Sequence, residues 1–421
     1  MNKIIYLNGK KSVEIEYINK EADTVYIDGI AKDFAVETTS EAKEKFAQSL
    51  KRSKYAEFLN SQFENLILLT GAGSSYGIGK TVNENGEDIE RKGRLLTHLW
   101  DDVCEAISEE KLNKLCEIVK YTDKISDGSG YVKNLEKLLS LANVAKNYVK
   151  DPNVDNPISI ENIITEIEKI IKQNCTLTLP SNSPHSELLT KITKRKVTLP
   201  RVKVFTLNYD TLFEQAGREK NFTMIDGFSF SQPRVFSGRN FDLDIVSRNS
   251  SRVKEEDNFV QKVFHIYKPH GSVDWTREGS SIIQREFVQN PLMIYPKDSK
   301  YESSYEQPFF EMMSRFQSCV RSENVLLICI GFSFNDKHIV TAISEALEQN
   351  PSFQLMVVNK GIDSNSSNFK PIFEAGKRYN NIFLVDEEFA DFAIYFPDLK
   401  SYNQENTKRI ILTLPDESKS I

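Results

Sequence analysis

Two short segments of the 421-residue chain carry polar side chains that suit acid–base chemistry on a sugar. Asn208 and Asp210 alternate just after a predicted strand, Val202–Thr206, so their side chains project to the same side. His270 lies in a constrained turn between a proline and a glycine, and an imidazole titrates near neutral pH. Asn208 therefore suits the binding of a ribose hydroxyl or a water molecule, and His270 suits proton transfer.

Both segments also have a structural interpretation. Asp210 directly precedes a predicted helix that begins near Thr211, and we expect capping of that helix to be its main role. A single histidine is more often structural than catalytic, so His270 taken alone does not define an enzyme.

A glycine-rich segment, Gly71–Ser74, directly follows the first predicted buried strand, Leu66–Thr70. At the carboxyl end of such a strand, two glycines let the backbone approach a pyrophosphate closely, and the following amides can donate to its oxygens. A glycine-rich turn without any ligand fits the same four residues, so this segment is a weak signal by itself.

The segment Gly79-Lys80-Thr81 resembles the end of a Walker P-loop and offers an alternative interpretation of the same region. The first glycine of that motif would have to stand at position 74, which is a serine. Because the backbone cradle of a P-loop depends on its register, a P-loop nucleotidase is the weaker alternative.

Polar residues also follow two later predicted strands, Val325–Ile330 and Leu355–Val358. Ser333 lies shortly after the first of these strands, and Asn359 directly follows the second. Each of the two residues suits contact with a nucleotide ribose, and each equally suits a simple turn.

The elements that must position these residues are short apolar runs, the later of which alternate with helical segments. This alternation predicts an α/β fold with a Rossmann-like parallel sheet. The predicted strands are Leu66–Thr70, Val202–Thr206, Val325–Ile330, Leu355–Val358 and Ile382–Val385.

Three regions are predicted along the chain. Residues 1–60 form a small β meander and a linking helix, residues 61–400 form the main domain, and residues 401–421 form a C-terminal strand and tail. Within the main domain the apolar period becomes helical at about 95–195, which predicts a helical insertion. The polar segment Ser229–Glu256 is predicted to be a long excursion.

The composition, with 39% hydrophobic and 27% charged residues, is that of an ordinary globular protein. No stretch is apolar enough to cross a bilayer, and Met1–Tyr6 does not continue into the apolar core of a signal peptide, so we expect a cytoplasmic protein without a membrane partner. The net charge of −6 gives no overall attraction to phosphate backbones, so direct nucleic-acid binding is not expected.

The five cysteines and five histidines form no cluster with the spacing of metal ligands. The cysteines are far apart along the chain, and no Cys-x-x-Cys pair occurs. We therefore expect reduced thiols in the core and no structural zinc.

Four motifs, in their order along the chain, resemble those of the sirtuin superfamily, especially a bacterial branch linked to antiphage defence. The matching segments are Gly71–Ser74, Thr206–Asp210, His270–Ser272 and Gly331–Asn335. The resemblance covers about Phe63 to Phe392 and implies an enzyme with NAD+ as its substrate.

The resemblance also implies roles for individual residues. Asn208 and Asp210 are expected to line the pocket for the nicotinamide ribose, with His270 as the catalytic histidine. Ser333 and Asn359 are expected on the phosphate and adenosine-ribose side. The residues expected to border the pyrophosphate are Gly71, Ala72, Gly73 and Ser74.

Three departures separate this chain from protein-deacylating sirtuins. Those enzymes carry a zinc ribbon with two Cys-x-x-Cys pairs and an Asp-Phe-Arg triplet after the first glycines, and both are absent here. Their Gln-Asn-Ile-Asp core is replaced by Leu207–Asp210. Because the zinc module supports part of the peptide cleft, we expect hydrolysis of NAD+ to nicotinamide and ADP-ribose in place of peptide deacylation.

Three alternatives stay open: an NAD-dependent protein deacylase or ADP-ribosyltransferase, a non-catalytic sensor of NAD or ADP-ribose, and a P-loop nucleotidase. By the resemblance, the protein would act in antiphage defence by depleting NAD+. Its expected partners are further copies of the same chain, in a homo-oligomer, and a HerA-type ATPase. The β meander or the helical insertion would provide the surface for this assembly, and the equally open alternative is that both elements complete the core of the monomer.

Overall fold

A mixed β-sheet of eleven strands forms the centre of the protein in a computed structural model. The model describes residues 2–61, 63–82, 88–89, 93–125, 130–149, 159–196, 198–247, 259–294, 306–362 and 368–399. In these ranges the strands are β1 (Asn2–Asn8), β2 (Lys11–Ile18), β3 (Glu21–Ile27), β4 (Ile30–Ala31), β5 (Asn65–Thr70), β6 (Thr81–Val82), β7 (Asp88–Ile89), β8 (Lys203–Thr206), β9 (Thr223–Ile225), β10 (Arg234–Val235), β11 (Val263–Tyr267), β12 (Trp275–Glu278), β13 (Ser281–Gln284), β14 (Val325–Ile330), β15 (Gln354–Asn359) and β16 (Ile382–Asp386).

Helices cover both faces of this sheet and also form a separate layer. They are α1 (Ser40–Leu59), α2 (Leu96–Ile107), α3 (Glu109–Ile118), α4 (Leu135–Ala145), α5 (Ile160–Cys175), α6 (Pro184–Ile192), α7 (Leu212–Glu219), α8 (Phe309–Val320), α9 (Lys337–Gln349), α10 (Lys370–Arg378) and α11 (Phe389–Tyr395). None of the helices in these ranges is long and apolar enough to cross a membrane.

The strand order of the sheet is β4-β3-β2-β1-β16-β15-β14-β5-β8-β11-β9, and the seven strands from β16 to β9 are parallel. All six residues of β14 are buried, as expected for a strand that helices cover on both faces. The predicted α/β fold with a parallel sheet is confirmed. Strand β11 was not among the predicted strands, although all five of its residues are buried.

The chain changes direction across the sheet at β5. From β5 it proceeds to β8 and β11 on one side, and it later returns to β14, β15 and β16 on the other side. In an open α/β sheet, such a switch point leaves a crevice at the carboxyl ends of the two flanking strands, here β5 and β14. The fold therefore places its most suitable ligand site after Thr70 and Ile330.

The N-terminal meander continues the main sheet. Strand β1 pairs antiparallel with β16, with Tyr6 opposite Val385, and the remaining strands of the meander extend outward to β4. Its apolar residues Ile5 and Ile15 belong to the same core as Tyr55 of α1. Apolar and polar residues alternate over residues 4–36, so the apolar side chains lie on one face of the antiparallel strands. This face packs on α1.

Helices α2 to α5 bury their apolar faces against one another. Their core includes Trp100, Leu115, Leu138 and Ile167, and Tyr209 packs on it from the main domain. Helix α6 instead packs in the main core and contacts α7 and α11. The apolar residues of the predicted insertion therefore belong to two different hydrophobic cores.

The polar segment 229–256 is partly folded onto the sheet. A short 3₁₀ turn at Gly238–Asp242 buries Phe241, whose ring stacks on Tyr267 with centroids 4.3 Å apart. Aromatic residues spaced among the polar ones anchor this part of the predicted excursion. Its remaining residues, 248–256, and the predicted C-terminal strand and tail at 401–421 lie outside the described residues.

Candidate active site

The glycine-rich segment after β5 packs directly against the backbone that follows β14. Gly331 has a left-handed φ of +60°, and a Cβ on Gly73 would lie 2.6 Å from the Cα of Gly331. A Cβ on Gly71 would lie 2.7 Å from the carbonyl oxygen of Gly331. Both contacts are too close for any side chain. The glycines are therefore required by backbone packing at the switch point.

The amides of this segment bond mostly within the protein. The Gly71 amide donates to the Ile330 carbonyl at 3.0 Å, the Gly73 amide to the Gly331 carbonyl at 3.0 Å, and the Ser74 amide to the Gly71 carbonyl at 2.9 Å. The expectation that the amides after the glycines donate to a pyrophosphate is therefore not supported for Gly73 and Ser74. Ala72 is the exposed residue of the segment.

Asn208 joins the end of β8 to the glycine segment. Its side-chain nitrogen donates to the Gly71 carbonyl at 3.0 Å, to Ser74 Oγ at 3.1 Å and to Ser75 Oγ at 2.8 Å. The side chain is half-buried, so these bonds fix its orientation while its carbonyl oxygen stays available as an acceptor for a ligand.

Asp210 makes two contacts, one local and one across the site. Its Oδ1 accepts from the amide of Leu212, the first residue of α7, at 3.1 Å, although the N-cap residue of this helix is Thr211 and makes no side-chain cap bond. Its Oδ2 accepts from Ser75 Oγ at 2.7 Å. The Ser75 hydroxyl thus bridges Asn208 and Asp210, a role that the sequence analysis did not assign to it.

His270 is held by a carboxylate from a different strand end. Its Nε2 lies 2.9 Å from Oδ2 of Asp336, and the other carboxylate oxygen of Asp336 accepts from the amides of His338 and Ile339 at the start of α9. The His270 carbonyl also accepts from the Ile294 amide at 2.8 Å. An imidazole that donates Nε2–H to a carboxylate presents Nδ1 as a proton acceptor. Asp336 is therefore a positioning residue that sequence reasoning missed.

A buried ion pair lies beneath the loops that carry Asn208 and His270. Lys268 Nζ bonds to Glu214 Oε1 at 3.0 Å, to the Tyr209 carbonyl at 3.3 Å and to the Asp210 carbonyl. The Tyr209 carbonyl also accepts from the Val273 amide at 3.0 Å. The end of β8 is thereby tied to the turn after β11. Burial raises the pKa of Glu214 to about 6, and the charge of Lys268 opposes part of this rise.

Asn359 and Ser333 reach the same edge of the sheet at the ends of neighbouring strands. Asn359 Nδ2 donates to the Phe332 carbonyl at 2.7 Å, whereas its Oδ1 is buried and has no partner among the described residues. Ser333 is exposed. A buried acceptor without a partner favours a hydrogen-bond donor from a ligand, such as a ribose hydroxyl.

The structure does not support the P-loop alternative. The backbone of Lys80 pairs with that of Thr178 through bonds of 3.0 and 2.7 Å, and Thr81 begins the short strand β6. A P-loop would require a helix to begin here, so that its amides and dipole face the phosphates.

No group of three or more His, Cys, Asp or Glu side chains within the described ranges is placed to hold a metal ion. The five cysteines are free thiols, and Cys116, Cys319 and Cys329 are buried. Burial raises the pKa of Cys116 to about 12, so this thiol is an inert core residue.

Residues 202–374 match the family model of the SIR2-like domain. The match covers less than half of the chain, but it contains Asn208, Asp210, His270 and Asp336. This part of the chain is therefore similar to the SIR2-like domain. A search of curated proteins found no match.

Several solved Sir2 structures share low sequence identity with the chain. A mutant Sir2 homologue in complex with 2'-O-acetyl ADP-ribose is 13% identical, with 81% of this chain and 92% of that chain covered and a TM-score of 0.39. A second Sir2 homologue mutant, in complex with ADP-ribose, is 11% identical over 81% and 92% of the two chains, with a TM-score of 0.37. A structure concerning the mechanism and regulation of Sir2 enzymes is 12% identical over 82% and 95%, with a TM-score of 0.34.

A matched pair of glycine substitutions tests the backbone contact at the switch point. Gly331→Ala would place a Cβ 2.5 Å from the backbone of Gly73 and Ser74, while Gly361, at a φ of +80°, has no atom within 4 Å of such a Cβ. We expect Gly361→Ala to lower the free energy of unfolding by about 1 kcal/mol and Gly331→Ala by about 3 kcal/mol or more. Denaturant unfolding measures both values. Equal losses would contradict the proposed contact.

The raised pKa of Glu214 predicts a pH dependence of stability. In the folded protein the Glu214 carboxyl keeps its proton up to about pH 6, whereas its ordinary pKa is 4.5. Between these two pH values the folded state binds more protons than the unfolded state, so the free energy of unfolding falls as the pH rises. The expected loss is about 2 kcal/mol. Denaturant unfolding of the wild type and of Glu214→Gln at both ends of the window should show that the variant lacks this decrease. An unchanged decrease in the variant would refute the assignment to Glu214.

Proposed function

We propose that the protein is an NAD+ glycohydrolase, which cleaves the bond between nicotinamide and ribose and releases nicotinamide and ADP-ribose. The SIR2-like match supports an enzyme that uses NAD+. The observation that carries the proposal is the convergence of Asn208 and the His270–Asp336 pair at the carboxyl edge of the sheet. Both belong to the matched segment, and no bond to Asn208 Oδ1 or His270 Nδ1 occurs among the described residues.

The crevice between β5 and β14 is the proposed NAD+ site. Gly71, Ala72, Gly73 and Ser74 would border the pyrophosphate through the shape of their backbone, because most of their amides are already bonded. Asn359 Oδ1, a buried acceptor without a described partner, would accept from a hydroxyl of the adenosine ribose, with Ser333 nearby. Asn208 Oδ1 would accept from the nicotinamide ribose or from the attacking water.

The proposed chemistry uses positioning and charge. Nicotinamide leaves as a neutral base, so positive charge develops on the ribose, as in other glycoside cleavages. The carboxylate of Asp210 would stabilise this charge. His270 would accept a proton from a ribose hydroxyl or from water through Nδ1, and Asp336 would hold the ring in place and stabilise its protonated form.

Substitutions of Asn208 and His270 test this function. Asn208→Ala and His270→Ala should each lower nicotinamide release about 100-fold or more, because each removes a polar group at the reacting centre. Asp336→Asn should lower the rate less and shift its pH profile, because the residue acts through His270. Asn65→Ala, at the opposite end of β5, is the matched control and should keep full activity.

Nicotinamide is quantified by chromatography, and thermal melting confirms that each variant is folded. Full activity of Asn208→Ala and His270→Ala would refute the proposed site. Release of nicotinamide only after addition of an acyl-lysine peptide or another protein acceptor would identify a transferase. Binding of NAD+ without release by the wild type, alone or with its partner, would identify a sensor.

We also propose that the enzyme assembles with further copies of itself and with a HerA-type ATPase in antiphage defence, as its resemblance implies. The outer edge of the meander offers a surface, because β4 ends the sheet and Ile30 in this strand is 74% exposed. An unpaired strand edge with exposed apolar residues favours pairing with another chain.

A single substitution at this edge tests the assembly. Ile30→Asp should convert the oligomer into smaller species, because a charge would be buried at the contact. Ile394→Asp is the control, since this exposed isoleucine lies on α11, away from the meander edge. Light scattering after size-exclusion chromatography gives the mass of each species. A wild type that is monomeric and gives the same mass as Ile30→Asp would contradict the proposed assembly.

A further inference from the structure

Apart from the crevice of the proposed active site, the protein has a cavity at the opposite edge of the sheet. Its volume is about 460 Å³, and its lining includes Val202, just before β8, and Val263, the first residue of β11. Asn208 and His270 follow the other ends of these two strands. The cavity is therefore separate from the crevice between β5 and β14.

The lining of this cavity is strongly cationic in a protein whose net charge is −6. Among the described residues, the one lining carboxylate is that of Asp398. The cationic lining residues are Lys194, Arg195, Lys196, Arg201 and Lys262. A concave surface lined by one sign of charge focuses its field and attracts ligands of the opposite sign.

Acidic residues compensate only part of this charge. Lys194 pairs with Asp398 at 2.7 Å, and Arg201 pairs with Asp244 at 3.0 Å. Lys262 Nζ bonds to the Lys220 carbonyl at 3.1 Å, and no carboxylate of the described residues pairs with it. The cavity therefore keeps an excess of positive charge.

Arg195 adds a partly buried guanidinium. It donates to the carbonyl oxygens of Phe63, Glu64 and Pro200, and no carboxylate in the described part of the chain pairs with it. Burial lowers its pKa to about 10. A partly buried cation without an anionic partner carries a desolvation cost, and an anion in the cavity would offset this cost.

We infer that this cavity binds a phosphorylated small molecule of the nucleotide class. Its volume lies within the range of small-molecule sites, which is roughly 300–1,000 Å³. Arginine and lysine are the side chains that most often bind phosphate oxygens, arginine through its planar fork of donors. The apolar side chains of Leu199, Val202 and Val263 in the same lining suit the uncharged part of such a ligand.

Calorimetric titration with inorganic pyrophosphate tests the inference. The wild type should show saturable binding, and Lys196→Glu and Lys262→Glu should each weaken it at least tenfold. Both side chains lie on exposed residues, so the variants should fold, which thermal melting verifies. Lys377→Glu, on α10 and outside the cavity, carries the same charge change and should bind as the wild type does. Asn208→Ala should also keep this binding, because the cavity is distinct from the proposed active site.

Four results of the pyrophosphate titration would overturn the inference. They are an absence of saturable binding to the wild type, unchanged binding in both cavity variants, an equal loss in Lys377→Glu, and loss in Asn208→Ala. Binding of a single-stranded oligonucleotide that is tighter than that of pyrophosphate, with the same sensitivity to Lys196→Glu and Lys262→Glu, would instead indicate a nucleic-acid surface and would also overturn it.

Discussion

The close backbone contact between the glycine segment after β5 and Gly331 after β14 is the constraint on which the candidate site depends. Two chain segments meet there at distances that exclude side chains, so the crevice at the switch point has a fixed floor. Asn208 then joins a third segment to this floor through the Gly71 carbonyl. This bond holds the side chain of Asn208, at the end of β8, beside the crevice.

Two further polar interactions, the Lys268–Glu214 pair and the contact of Asp336 with His270, stabilise this arrangement. Lys268 and Glu214 form a buried pair that ties the end of β8 to β11, and a pair of this kind specifies one geometry because breaking it leaves a buried charge. Asp336 caps α9 and holds His270 with its other oxygen. Tyr209, between Asn208 and Asp210, packs on the core of helices α2 to α5, so the insertion contacts the same segment.

The sequence predicted the sheet because apolar runs such as Val325–Ile330 are typical of strands buried on both faces. It also singled out Asn208 and His270, whose surroundings are local turns after strands. It missed β11, Ser75, Asp336 and the Lys268–Glu214 pair. These depend on contacts between distant parts of the chain, and a single sequence does not reveal which lysine or glutamate will be buried beside its partner. The sequence also did not reveal that the Gly73 amide donates to the carbonyl of Gly331, which is more than 250 residues away along the chain.

The most direct test of the account is a crystal structure of the protein with ADP-ribose. The account predicts that the ligand lies in the crevice between β5 and β14, with one ribose within hydrogen-bond distance of Asn208 and His270 and the other beside Asn359. ADP-ribose absent from the crevice, or bound in the crevice with both riboses away from Asn208 and His270, would contradict it.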